Sequence, residues 1–246
     1  GIGRFTKEVP GPKALKGLTG EALNQRKALL GNLNKKLSNE QIEKALHFVP
    51  LEDVEDFLNL LNRLKDNRTL DRVLPQLGEF YNKDKGARFV LKYAGSFPPE
   101  VINTIRFENM VKIFDEFGNE MKRVYDFVIK EKKYELKAWT RWAHWSDEAF
   151  LNQFVKDIAS IDKLGNLQWV FMKTENITEE SLHKYIIRTL KSQKGRNELI
   201  RYLKLEQTKA LFGFPQKIED SNELVENIIK HFENKEKFYT LFKVVE

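Results

Sequence analysis

The sequence predicts an α/β protein: a helical N-terminal region followed by a mixed-sheet core flanked by helices. Three observations carry this. Residues 20–80 repeat apolar positions at helical spacing between capping and breaking signals. Residues 121–139, MKRVYDFVIKEKKYELKAW, place two apolar runs on either side of a charged turn. From residue 146 onward, capped amphipathic segments alternate with the short apolar run LQWVFMK.

Taken in order, residues 1–20 are rich in Gly, Pro and Lys and read as a linker at the edge of a longer chain. Ser38 with Gln41 forms a capping-box pattern before QIEKALHFV. Pro50 opens a second helix, LEDVEDFLNLLNRL, whose Val54, Phe57, Leu58 and Leu61 share one face. LDRVLPQLGEFY continues the pattern and is broken by Pro75. The composition changes around NKDKGARFVLKYAGSFPP, which sets a domain boundary near residue 85: a helical region over 1–85 and a second domain over 86–246. A helix is expected from Pro99 to Phe117, ended by Gly118, and then the hairpin of residues 121–139. Ser146 caps a helix over 147–163, the crossover between a strand near 135 and the strand LQWVFMK. Thr178, followed by two glutamates, starts another long helix.

Composition excludes several classes. There is no cysteine among the 246 residues, so disulfides, thiolate metal sites and a cysteine nucleophile are out. The 42 Lys and Arg exceed the 36 Asp and Glu, which suits an anionic partner such as nucleic acid and equally a lysine-rich solvated surface. The apolar runs are too short to span a bilayer, and the start carries no hydrophobic signal core. No Gly-rich phosphate loop or serine elbow occurs.

The hairpin carries the chemistry. With its turn at Lys130 and Glu131, Asp126 faces Glu135 across the strands, where Cβ atoms sit ~5 Å apart. Lys137, two residues beyond Glu135, points to the same side. Two carboxylates so close repel unless a cation lies between them. A divalent ion such as Mg²⁺ takes a few hard oxygens and keeps several waters. The other reading is an edge hairpin whose acids pair with lysines in solvent.

Asp126 in VYDFVI and Glu135-Leu136-Lys137 in YELKAW resemble the PD-(D/E)XK, or restriction-endonuclease-like, nuclease superfamily, with its acid on one strand and Glu-x-Lys on the next. Tyr125 stands where the family name has proline. The resemblance covers roughly residues 88–175. It implies a restriction-endonuclease-like core and metal-dependent hydrolysis of phosphodiester bonds in DNA or RNA, tRNA included. Asp126 and Glu135 would hold Mg²⁺ or Mn²⁺, and Lys137 would position water or stabilise charge on the phosphate. The family's preceding helix often adds a glutamate, for which Glu108 stands here; Glu108 equally fits a solvated position. The following helix offers Gln153 and Lys156. Such modules resemble the C-terminal toxin domains of bacterial polymorphic or contact-dependent inhibition systems, which act in the target cell's cytoplasm and are checked by an immunity protein. The alternative is a non-catalytic nucleic-acid- or protein-binding module.

Other features suit nucleic acid without requiring it. Trp139, Trp142 and Trp145 cluster with Arg141 and His144, an arrangement that could stack bases; Trp139 and Trp142 favour core instead, while Arg141 and His144 are expected exposed, with His144 an alternative base. Arg188, Lys191 and Lys194 recur about once per helical turn, a phosphate-binding stripe or a solvated face.

Overall fold

The computed structural model describes residues 12–115 and 117–246. By contact the chain divides into two compact units, Gly1–Glu108 and Asn109–Glu246. Of the expected linker, residues 1–11 lie outside the described residues; the rest holds a 3₁₀ turn, Lys13–Leu15, with Ala14 buried.

The first unit is helical. It contains α1 (Gly20–Leu33), α2 (Asn39–Leu46), α3 (Val54–Leu64), α4 (Tyr81–Ala94) and the single turn α5 (Pro99–Ile102). The Ser38–Gln41 capping box forms as its sequence requires, with both reciprocal bonds made. α3 buries Val54, Phe57, Leu58 and Leu61 together with Leu60 and Leu64. LDRVLPQLGEFY forms two 3₁₀ turns, Leu70–Arg72 and Leu74–Gln76, since Pro75 cannot sit inside an α-helix. The change of composition near residue 85 falls inside α4, whose Ala87, Val90, Leu91 and Ala94 are buried.

The expected helix from Pro99 to Phe117 is corrected. Only Pro99–Ile102 is helical, and Arg106–Phe114 is strand β1. The run holds Val111 and Ile113, and Phe107, Val111 and Ile113 alternate with the more exposed Met110, Lys112 and Phe114. β2 (Glu120–Ile129) and β3 (Lys132–Lys137) then form the expected hairpin, paired Phe127↔Tyr134, Val128↔Lys133 and Ile129↔Lys132. Lys130 takes φ 55° at the turn.

The second unit holds the whole catalytic candidate set except Glu108. Its elements are α6 (Asp147–Ser160), β4 (Leu167–Met172), α7 (Glu179–Lys191), α8 (Gln193–Tyr202), α9 (Leu205–Phe212), α10 (Ser221–Glu233), α11 (Lys235–Leu241) and β5 (Phe242–Val245). The sheet order is β1-β2-β3-β4-β5, with β2 antiparallel to β3 and both β3–β4 and β4–β5 parallel. α6 makes the crossover that a parallel β3–β4 pair demands. Its Phe150, Leu151, Phe154, Val155 and Ile158 pack with Trp169, Phe232 and Phe242 into one buried cluster. Each such side chain contributes about 1.5–3 kcal/mol on burial, which fixes α6 against the sheet. The basic run after Arg188 is not one helix. Ser192 ends α7 and caps α8, where a Cβ on Gly195 would lie 2.2 Å from the Thr189 carbonyl oxygen. No described helix is long and apolar enough to cross a membrane.

Candidate functional site

Asp126 stands on β2, one position beyond the Phe127↔Tyr134 pair, and so comes to Glu135 on β3. The two carboxyl groups lie close enough to interact directly. The Asp126 Oδ2 also accepts from the Leu136 amide at 2.7 Å. Burial, and then the Glu135 carboxylate beside it, push the Asp126 carboxyl well above the ordinary carboxylate range, outweighing the Leu136 amide and Lys137.

Lys137 is the third member. Its Nζ lies 3.5 Å from Glu135 Oε1 and donates to Gln153 Oε1 at 3.2 Å. It also sits 5.5 Å from the Trp139 ring centroid and 5.4 Å from that of Trp169. Those ring faces and the two oxygens confine a side chain that is otherwise among the most mobile. Asp126, Glu135, Lys137 and Gln153 are thus brought together from β2, β3 and α6.

A buried support lies behind them. Asp157 of α6 is fully buried. It accepts from Tyr125 Oη at 2.7 Å, Trp169 Nε1 at 3.1 Å and Arg123 Nε at 3.0 Å. Arg123 Nη2 donates to Glu135 Oε2 and also reaches Asp157 Oδ2 at 3.3 Å, so one guanidinium bridges Asp157 and Glu135. Burial opposes the Arg123 charge, and Glu135 and Asp157 outweigh it. Burial raises the Asp157 carboxyl, partly offset by Arg123 and Tyr125. Burial also raises the Tyr125 hydroxyl, with the Asp157 charge adding to it.

Arg123, Tyr125, Asp157 and Trp169 escape a reading by strict strand alternation. Tyr125 and Val128 enter the same core cluster although they are three residues apart, so the alternation of β2 breaks near Asp126. Asp157 did leave a signal. It falls at a core position on a helix whose Phe150, Phe154, Val155 and Ile158 are all buried, and a lone acid there requires buried partners.

The remaining candidates are placed elsewhere. Glu108 is a strand residue of the first unit, not a helix residue; its φ is 44° and its Oε1 accepts from Gln76 Nε2 at 2.8 Å. Arg141 and His144 are exposed and contact each other, Nε to Nε2 at 3.3 Å. Lys156 lies 5.5 Å from the Tyr202 ring centroid. Arg188 stacks over Tyr185 at 4.3 Å, and Lys191 pairs with Glu233 at 3.5 Å. Further along, on α9, Lys209 is buried, donating to the carbonyls of Gln216 and Ile218 at 3.1 and 2.9 Å.

For a metal, the donor set is two carboxylates. Among the described residues no cluster of three or more His, Asp or Glu is arranged to hold an ion. Mg²⁺ needs no such cluster: one or two carboxylates suffice, with waters and substrate phosphate oxygens filling the octahedron. Asp126 and Glu135, crowded enough for one to hold its proton far above the usual range, fit such an ion, which would stand in that proton's place as the positive partner. No protein-family model, curated protein or solved structure matches the chain.

Proposed function

We propose that the second unit is a metal-dependent nuclease of the PD-(D/E)XK type, hydrolysing phosphodiester bonds of DNA or RNA. The observation that carries this is the convergence of Asp126, Glu135, Lys137 and Gln153 on one spot from three elements. The acid on β2, Glu-x-Lys on β3, the crossover helix α6 bearing Gln153 and the parallel β4 support the restriction-endonuclease-like reading of the core.

Roles follow from position. Asp126 and Glu135 would hold Mg²⁺ or Mn²⁺, which would supply Lewis acidity to the scissile phosphate. Gln153 and Glu135 aim the Lys137 ammonium, which orients the attacking water by hydrogen bonding and offsets charge growing on the phosphoryl oxygens. Arg123 fixes Glu135 from behind, and Asp157 fixes Arg123. Trp139 and Trp169 cover the lysine, where lowered local dielectric strengthens its field.

One observation favours a second reading. Both oxygens of Glu135 already have cationic partners, Arg123 and Lys137, as in a buried ion cluster of a non-catalytic binding module. A divalent-ion titration separates the two. With Mg²⁺ or Mn²⁺ near a hundredfold above its dissociation constant, a bound ion stabilises by about 2.7 kcal/mol. That is a rise of several degrees in the melting temperature of the second unit. The parent should show it and Asp126→Asn should not. An unmoved parent, or equal shifts in both, would favour the binding module.

A further inference from the structure

A track of rings leads away from Lys137. Its Nζ is 5.5 Å from the Trp139 ring centroid, and Trp139 meets Trp145 edge-to-face at 5.5 Å. Trp145 meets Trp142 at 5.6 Å. Trp142 lies flat on Tyr185, centroids 4.0 Å apart and planes within 9°. The Arg188 guanidinium covers Tyr185 at 4.3 Å. Trp142, Trp145, Tyr185, Arg188 and Lys194 line one open cavity of about 600 Å³.

Two facts make this more than core packing. Among the described residues no carboxylate lies within ion-pair distance of Arg188, an exposed cation seated over an aromatic ring. A planar guanidinium so held presents its N–H edges to an oxyanion. The acids on the rim are already engaged. Asp147 accepts from Trp145 Nε1 at 2.6 Å and Thr189 Oγ1 at 3.2 Å, and Glu148 pairs with Lys194 at 3.6 Å. The exposed Glu148–Lys194 pair is worth little and is readily exchanged for a phosphate.

We propose that this track binds unpaired nucleotides flanking the cleaved bond, so that the substrate class is single-stranded nucleic acid or the unpaired loops of a folded RNA. Bases stack on the exposed parts of Trp142 and Trp145, Tyr185 backs Trp142 and carries Arg188, and Arg188 takes a backbone phosphate. A duplex cannot offer its base faces to such rings, whereas every unpaired base has one. The inference rests on the nuclease reading for the cut made beside Lys137, and not for the binding.

The test is fluorescence anisotropy with the full chain in EDTA, which keeps the substrate uncut. The probes are a labelled single-stranded 12-mer in DNA and RNA forms, the matched duplex, and polyglutamate as competitor. Single strands should bind at least about tenfold more tightly than duplex, and polyglutamate should not compete. Trp142→Ala should weaken binding about fivefold or more. Trp142 Nε1 also donates to the Asn176 carbonyl at 3.0 Å, so a surface variant guards against misfolding. Arg188→Gln should weaken binding and lower the salt slope by about one. Equal affinity for duplex and single strand, displacement by polyglutamate, or unchanged binding in Arg188→Gln overturns the proposal. A parent that binds single strands in EDTA and cuts nothing with Mg²⁺ upholds the track and removes the nuclease reading.

Discussion

Asp157→Ala should be among the most costly single substitutions in the second unit. Its carboxyl is fully buried and accepts from Tyr125, Trp169 and Arg123. Removing it strands two neutral donors and one charged donor. An unsatisfied buried donor costs about 1–3 kcal/mol, and breaking a buried ion pair by deleting one partner costs about 3–5 kcal/mol. The terms overlap, because Arg123 retains Glu135 and water can enter the space left. The expected loss is about 3–5 kcal/mol. Asp157→Asn keeps one carbonyl acceptor and loses the charge, so about 2–3 kcal/mol is expected. Urea unfolding followed by tryptophan fluorescence and far-UV circular dichroism reads this directly. At a slope near 2 kcal/mol per molar, the alanine variant should lose roughly 2 M from its midpoint. A loss below about 1 kcal/mol would refute the reasoning, since it would mean that burial of Asp157 costs as much as the hydrogen bonds from its three partners return.

Asp126→Asn should stabilise the metal-free protein at neutral pH. The folded-state carboxyl is raised above its unfolded value, so the protonated form is favoured in the fold, and that contribution is lost as pH rises through the raised value; the advantage of the amide should therefore shrink toward pH ~4, and a variant melting below the parent at pH 7 in EDTA contradicts it. Lys137→Ala should bind Mn²⁺ calorimetrically within a few-fold of the parent, because Lys137 is no ligand; failure to bind would make the lysine part of the ion site's structure.

The Asp126–Glu135 pairing was legible because a two-residue turn at Lys130 and Glu131 leaves only one symmetric register. The capping signals at Ser38, Ser146 and Thr178 were legible because each depends on a side chain bonding to its own local backbone. β1 was not, since Phe107, Val111 and Phe114 satisfy helical spacing while Phe107, Val111 and Ile113 satisfy strand alternation. β5 is four residues, FKVV, that become a strand only by pairing with β4, a tertiary fact. Arg123 reaches Glu135 only because β2 departs from regular alternation near Asp126, and nothing in VYDFVI announces that break.

The most direct measurement is a cleavage time course by the parent on plasmid, total RNA and purified tRNA, in Mg²⁺ or Mn²⁺ and again in EDTA, with Lys137→Ala alongside. At least one substrate should be cut with the ion and none in EDTA, and Lys137→Ala should fall by about 10²-fold or more, the scale of losing one preorganised transition-state contact. Cleavage that persists in EDTA, near-normal turnover by Lys137→Ala, or no cleavage of any substrate would contradict the assignment of Asp126, Glu135 and Lys137 as a metal-dependent nuclease site.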